Sequence, residues 1–115
     1  MAIHFATDNA ALLLSSLKKA VDDSKIVAWS YDSDGDFTHA TDQWRYKAWL
    51  RPKVLPNELI MYILGSNSRK LSKQIYAIYH GRFVEAAVAH ADTLFTTASI
   101  SALLEKGDHV GGTSG

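Results

Sequence analysis

The segment from Leu71 to Phe95, LSKQIYAIYHGRFVEAAVAHADTLF, constrains the fold most, because it reads as a helix that is apolar on nearly every side and still carries Arg82 within its widest apolar face. At helical spacing, Leu71, Ile75, Ile78, Tyr79, Ala86 and Ala89 fall along one side, and Tyr76, Phe83, Ala87 and Leu94 widen that sector. Ala77, Val84, Val88 and Ala91 form a second stripe of small side chains. This pattern predicts a helix buried on two sides, the broad flank against a sheet and the small flank against another helix, either the chain's first or the same helix in a second copy. Arg82 would then need a carboxylate, carbonyl groups or a ligand anion, since an unpaired buried charge is costly.

At 115 residues the chain suits one domain, and 47% hydrophobic with 21% charged residues is the composition of a folded protein. We read residues 1–105 as a single α+β domain and 106–115, KGDHVGGTSG, as a flexible tail too polar and glycine-rich to bury surface. Twelve basic residues balance twelve acidic ones, so no overall field draws the chain to nucleic acid or to an anionic membrane. Any recognition by charge is therefore local. With no cysteine, disulfides, thiolate metal sites and cysteine nucleophiles drop out together, which suits a reducing, cytoplasmic setting. The start, MAIHFATDNAALLL, lacks the basic cluster and long apolar run of a secretory signal, and we read it as mature structure. No stretch approaches the roughly 20 apolar residues of a membrane span, so no membrane association is expected.

Thr7 or Asp8 can cap a first helix running to about Asp23, with Leu13, Leu14, Leu17, Ala20 and Val21 on its apolar stripe. IVAWSYD, then Asp34-Gly35 as a type I′ turn dipeptide, then FTHA, predict a strand that turns back. WRYKAWLRP alternates, placing Trp44, Tyr46, Ala48 and Leu50 inward and Arg45, Lys47, Trp49 and Arg51 outward. Pro52, Pro56 and Asn57 break that pattern before ELIMYILG, a well-covered strand, and residues 65–70 form the loop to the long helix. LFTTASISALL permits a last strand or a short helix. The expected fold class is α+β, an antiparallel sheet of three to five strands with a long helix packed on one face, in the order α-β-β-β-α with an optional final strand.

Four constellations could carry chemistry. Arg45, Lys47, Trp49 and Arg51, with Tyr62 on the neighbouring strand, would present cations around an aromatic plane and could hold an anionic or planar ligand. The same pattern is what the solvated face of an antiparallel sheet ordinarily shows. Tyr79, His80, Gly81 and Arg82, with Tyr76, Glu85 and His90, form the second. Here Arg82 either pairs with Glu85 or extends its stem to water, as structural arginines do. His80 and His90 lie ten apart rather than the three or four that align two metal ligands on a helix, so no metal is expected there. Asp32-Ser33-Asp34-Gly35-Asp36 fails as an EF-hand loop, with Phe37 and Gln43 where glycine and glutamate belong, and is an acidic turn. Last come the scattered His4, His39, His80, His90, Asp42, Glu58, Glu85 and several serines, in a chain without a nucleophile elbow, zincin helix, P-loop or dinucleotide fingerprint. We therefore assign no catalytic residue, metal or cofactor, and take Arg82, Tyr79, His80, His90, Trp49, Arg45 and Tyr62 as candidate ligand-binding residues.

The order helix, three strands, helix, strand resembles, in topology alone, the small dimeric chaperones of type III secretion. That resemblance implies a dimer that binds extended effector segments, although those proteins are usually acidic whereas this chain is neutral. YAIYHGRFVEAAVAHAD also looks like segments of small bacterial proteins of undetermined activity. The expected function is a homodimeric binding module for a small molecule or peptide. The alternatives are an enzyme built from scattered His, Glu, Arg and Tyr residues, and a chaperone of the type III kind. A binding module predicts a groove lined by Trp29, Tyr46, Trp49, Tyr62 and Tyr79, whereas an enzyme predicts His80 or His90 sharing a pocket with Glu85, Arg82 or a tyrosine.

Overall fold

The computed structural model describes residues 1–66, 68 and 70–111. Along them run β1 (Ile3–Ala6), α1 (Ala10–Asp22), β2 (Trp29–Tyr31), β3 (Phe37–His39), β4 (Ala48–Val54), β5 (Glu58–Gly65), α2 (Lys73–Ala91) and β6 (Thr97–Ile100). The strands form one six-stranded sheet in the order β2-β3-β4-β5-β1-β6, antiparallel throughout. The α+β class holds. The expected three to five strands become six, and a strand precedes the first helix. That strand removes part of the topological ground for the resemblance to secretion chaperones. Four residues are too few to display an alternation, and β1 is specified by its slot, where Ile3 pairs with both Met61 and Ile100.

Ile3, Phe5, Leu50, Leu59, Met61 and Ile63 share a core with Leu13 and Leu17 of α1 and with Ile75, Tyr79 and Phe83 of α2. Removing such surfaces from water stabilises by about 25 cal/mol per Å². Ser72 caps α2 by accepting from the Ile75 amide at 3.1 Å, and Ile75, Tyr79, His80, Phe83, Ala87 and Ala91 form its buried stripe. The other flank, with Ala77, Gly81, Arg82 and Val88, is exposed. The expectation of a helix buried on two sides, with Arg82 held inside, is thus corrected. Alanine and glycine were counted as apolar, but they leave little hydrocarbon in water, and alanine is placed there at no cost to the helix.

The expected basic row is also corrected. Residues 41–47 form a turn, with Tyr46 at φ 59°, so Arg45 and Lys47 stand on no strand. β4 starts at Ala48 and runs on through Pro52. Pro52 is tolerated because β3 pairs with β4 only at Leu50, so no β3 residue stands opposite it to miss its N–H. The β2–β3 turn is wider than a two-residue hairpin. Only Gly35 has positive φ where a type I′ turn needs two such residues, and Asp32 Oδ1 instead accepts from the amides of Asp34 and Asp36, each at 3.0 Å.

Residues 106–111, expected as the start of a loose tail, lie along β5, with His109 exchanging backbone hydrogen bonds with Ile63 and Gly65 at 2.9 and 2.7 Å. Gly107 rests on the Tyr62 ring so closely that an added Cβ would stand 2.6 Å from it. Residues 112–115 of that expected tail lie outside the described residues, as do 67 and 69 of the loop before α2. None of the described helices is long and apolar enough to cross a membrane.

Asn9, rather than Thr7 or Asp8, caps α1 by accepting from the Leu12 amide at 3.0 Å. At its other end the Lys25 amide donates to Ala20 O and Ser24 N to Val21 O, a Schellman arrangement with Ser24 at φ 60° in the glycine position. Two opposite substitutions should therefore both stabilise the fold. Ser24→Gly relieves a left-handed residue, and Gly81→Ala removes a flexible one from the middle of α2, where an added Cβ meets nothing within 4 Å. Each should raise stability in urea unfolding by about 0.5–1 kcal/mol. A loss at Gly81 would mean that its flank is covered after all.

Candidate ligand-binding cleft

α1 ends in a turn that carries the chain across the open side of α2. The Ile26 amide is fixed to Ala20 O at 3.0 Å and its side chain is buried, so residues 25–29 form a wall opposite the helix. Ala86 and Ala89 face that wall with side chains too short to fill the gap. A cleft of about 190 Å³ remains, lined by Lys25–Trp29, His39, Arg82, Glu85, Ala86, Ala89 and His90.

Its floor is aromatic. The Trp29 indole stands edge-on to His39, Tyr79 and Phe83, with ring centroids 5.1, 5.4 and 5.1 Å away. Tyr79 is wholly buried, with its hydroxyl donating to Trp44 O and lying 3.2 Å from Thr38 Oγ1. His39 Nδ1 accepts from the Thr41 amide at 3.4 Å and lies 2.8 Å from Thr41 Oγ1. A neutral ring whose Nδ1 accepts must carry its proton on Nε2. Burial holds the ring below its ordinary pKa, and the nearby Arg82 charge depresses it further, so neutral is the form expected near pH 7. Two ring N–H groups thus lie covered beneath this floor, Trp29 Nε1 and His39 Nε2, neither with an oxygen or nitrogen partner among the described residues. Each unmet donor of this kind costs about 1–3 kcal/mol.

The rim is charged. Arg82 and Glu85 stand exposed three residues apart on α2, without an ion pair or hydrogen bond among the described residues, and His90 and Lys25 are likewise exposed. Of the residues expected at a site, Arg82 and His90 come together here, with Tyr79 beneath them. The others go elsewhere. His80 is buried with Nε2 2.6 Å from Met1 O and Nδ1 2.6 Å from Tyr76 O, tying α2 to the start of β1. Trp49 and Tyr62 lie on the outer face of the sheet, and Arg45 pairs with Asp42 in the 41–47 turn. Glu85 was identified as a partner for Arg82 and as one of the scattered catalytic candidates, Trp29 only as one of several groove aromatics, and His39 only as one of the scattered histidines. Nothing in FTHA signals that its histidine lies under α2.

A second polar assembly occupies the outer face. His4 Nδ1 meets Glu58 Oε1 at 2.8 Å and Nε2 meets Glu105 Oε2 at 2.7 Å. Burial pulls the imidazole pKa down, but the hydrogen bonds to Glu105 and Glu58, with their charges, outweigh it and the pKa is raised. The Glu105 pKa is lowered, first by the Ser101 hydroxyl and then by His4. The Asp32, Asp34 and Asp36 carboxylates gather within 4.8 Å, but Asp36 already holds Arg51 at 3.0 and 2.8 Å and Asp32 accepts from its own turn.

Comparison with protein families, with characterised proteins and with solved structures finds no match to this chain.

His39 and His80 are held neutral by burial, so below about pH 6.5 the unfolded chain takes up protons that the folded chain refuses, and these two groups make stability fall with pH. His4 acts oppositely. Its contribution is complete below about pH 6.5 and is lost as pH rises through its raised folded value. Titration by histidine NMR should place His4 above His39 and His80. Arg82→Gln should shift His39 upward while leaving His4 unmoved, and an unmoved His39 would place Arg82 away from the cleft.

Proposed function

We propose that this chain is a binding module whose cleft between α2 and residues 25–29 takes a small organic molecule. The observation that carries the reading is the pair of unpartnered ring donors, Trp29 Nε1 and His39 Nε2, in the floor of a mostly apolar hollow. A ligand acceptor would satisfy groups whose burial otherwise weakens the fold, which is how a site comes to select its ligand. Both nitrogens are covered in this conformation, so a ligand has to part the rim to reach them. A hollow of about 190 Å³ suits a small molecule better than an extended peptide. The enzyme alternative gains from His90 sharing this rim with Glu85 and Arg82. Binding is placed first because, among the described residues, no hydrogen bond orients His90 or Glu85 as general acid-base chemistry requires.

Ala86→Leu places a branched side chain in the hollow while keeping a helix former on a half-buried position. Thermal-shift screening of small metabolites should give hits with the parent chain that are lost in the variant while its own unfolding midpoint stays within a few degrees. Hits retained in Ala86→Leu would place binding elsewhere and sink the reading.

Self-association is also proposed, at a different place from the α2 stripe. β6 is an edge strand without lysine, proline or any charge, and beside it Ile100, Leu104 and Leu103 are 46%, 55% and 82% exposed. An open edge with apolar neighbours favours antiparallel pairing with the same edge of a second copy. A cytoplasmic setting belongs to the same proposal, on the absence of cysteine. Light scattering should give twice the chain mass for the parent and a monomer for Ile100→Pro, whose N–H faces the open edge rather than β1, and a monomeric parent would refute the pairing.

A further inference from the structure

Resting on the reading of the cleft as a ligand site, we infer that its ligand is a small organic carboxylate with a short apolar body. Three features of different kinds converge on that class. The two buried ring nitrogens at the floor, covered until the rim parts, are both donors. Trp29 Nε1 can do nothing else, and His39 Nε2 is made a donor by the engagement of Nδ1 with Thr41. A group that reaches either must therefore be an acceptor, and a carboxylate brings two such oxygens.

The rim adds a charge preference. Arg82 and Lys25 stand at the rim with the carboxylate of Glu85, Lys25 also lying near Asp23, and neither Arg82 nor Glu85 is committed to a partner among the described residues. The guanidinium presents paired donors in a fixed plane, the arrangement that matches a carboxylate bidentately. Because Arg82 is exposed, it can turn toward an incoming anion without unpacking the core. Attraction across such a rim is strongest where the dielectric is low, and it weakens as salt screens it.

The remainder of the lining selects the body of the ligand. Ile26 on the wall and Ala86 and Ala89 on α2 offer hydrocarbon and no hydrogen-bonding side-chain atom. A sugar or a phosphate sugar would leave its hydroxyl groups unmet on those sides, at a cost for each. A short alkyl or aryl chain would be held by them, with its carboxylate toward Arg82, Trp29 and His39.

The test is a matched series, namely 3-phenylpropionate, 3-phenylpropionamide and 3-phenylpropanol, and hexanoate beside hexanamide. It is followed by NMR on the Trp29 indole N–H of the full chain at low and at moderate salt. The acids should shift that resonance saturably and the amides and alcohol at least about tenfold more weakly, the acid preference should shrink with added salt, and Arg82→Gln should abolish it without changing the melting temperature. Amides or alcohol binding as well as the acids overturns the carboxylate assignment and leaves the cleft reading standing. Should no compound move the indole, or should Ala86→Leu respond as the parent does, the cleft is a water-filled hollow only and both readings fall. Acid binding with Arg82→Gln unaffected would also overturn the proposal, since the charge at the rim would then have no part in selection.

Discussion

The wedge formed by the Trp29 indole holds the weakest part of the sheet to the helix above it. β2 and β3 are three residues each, and β3 meets β4 at a single residue pair, so hydrogen bonding alone anchors this hairpin poorly. What secures it is side-chain contact, in which Trp29 meets Tyr79 and Phe83 edge-on while Phe37 meets Phe83 at 5.3 Å. Each such ring pair contributes about 0.5–1.5 kcal/mol beyond burial. The hairpin is therefore held to α2 from above as well as to β4 from the side.

The same wedge explains how the fold tolerates two unmet donors. Burying an indole of roughly 150–250 Å² is worth about 4–6 kcal/mol at the usual area coefficient, before the ring pairs are counted. Two orphaned N–H groups cost about 2–6 kcal/mol together, so the packing covers the loss and leaves little surplus. A polar mismatch that the local packing can just sustain is where a protein stores free energy for a ligand to release. The buried His80 offers a partial contrast, since both of its nitrogens lie 2.6 Å from main-chain carbonyl oxygens, although the neutral ring donates to only one of them. Its contacts are with the protein itself, and it fastens the helix to the N-terminal strand.

The sequence showed plainly where its own periodicity was long enough to be read. α1, α2 and β5 follow from apolar spacing over many residues, and the turn at Asp32–Asp36 follows from its residue types. β1 and β6 were hidden or ambiguous because a four-residue strand is specified by its neighbours. The alternation in WRYKAWLRP misled at Arg45 and Lys47, since a turn with Tyr46 in the left-handed region occupies what the pattern offered as strand. Arg82 and His90 were legible as residues of interest, although for a reason that failed. Arg82 was singled out as a buried charge and is instead an exposed one beside a hollow. The contribution of His39 was not legible at all, because its neighbours in space come from α2 and from the turn beyond β3.

Charges on the two faces of the molecule have different fates, and that difference bears on where a ligand can be recognised. On the outer face, where a basic and aromatic row was expected to recruit a partner, Arg51 is engaged by Asp36, His4 by Glu58 and Glu105, and the Tyr62 ring by the close approach of Gly107. These groups are neutralised or covered by the chain itself, so a ligand would have to displace an existing bond to gain a new one. Beside α2, Arg82 and Glu85 have no such bond among the described residues. In a chain of zero net charge, recognition by charge depends on which local charges remain uncommitted, and here those charges border a hollow above two ring donors that have no partner among the described residues.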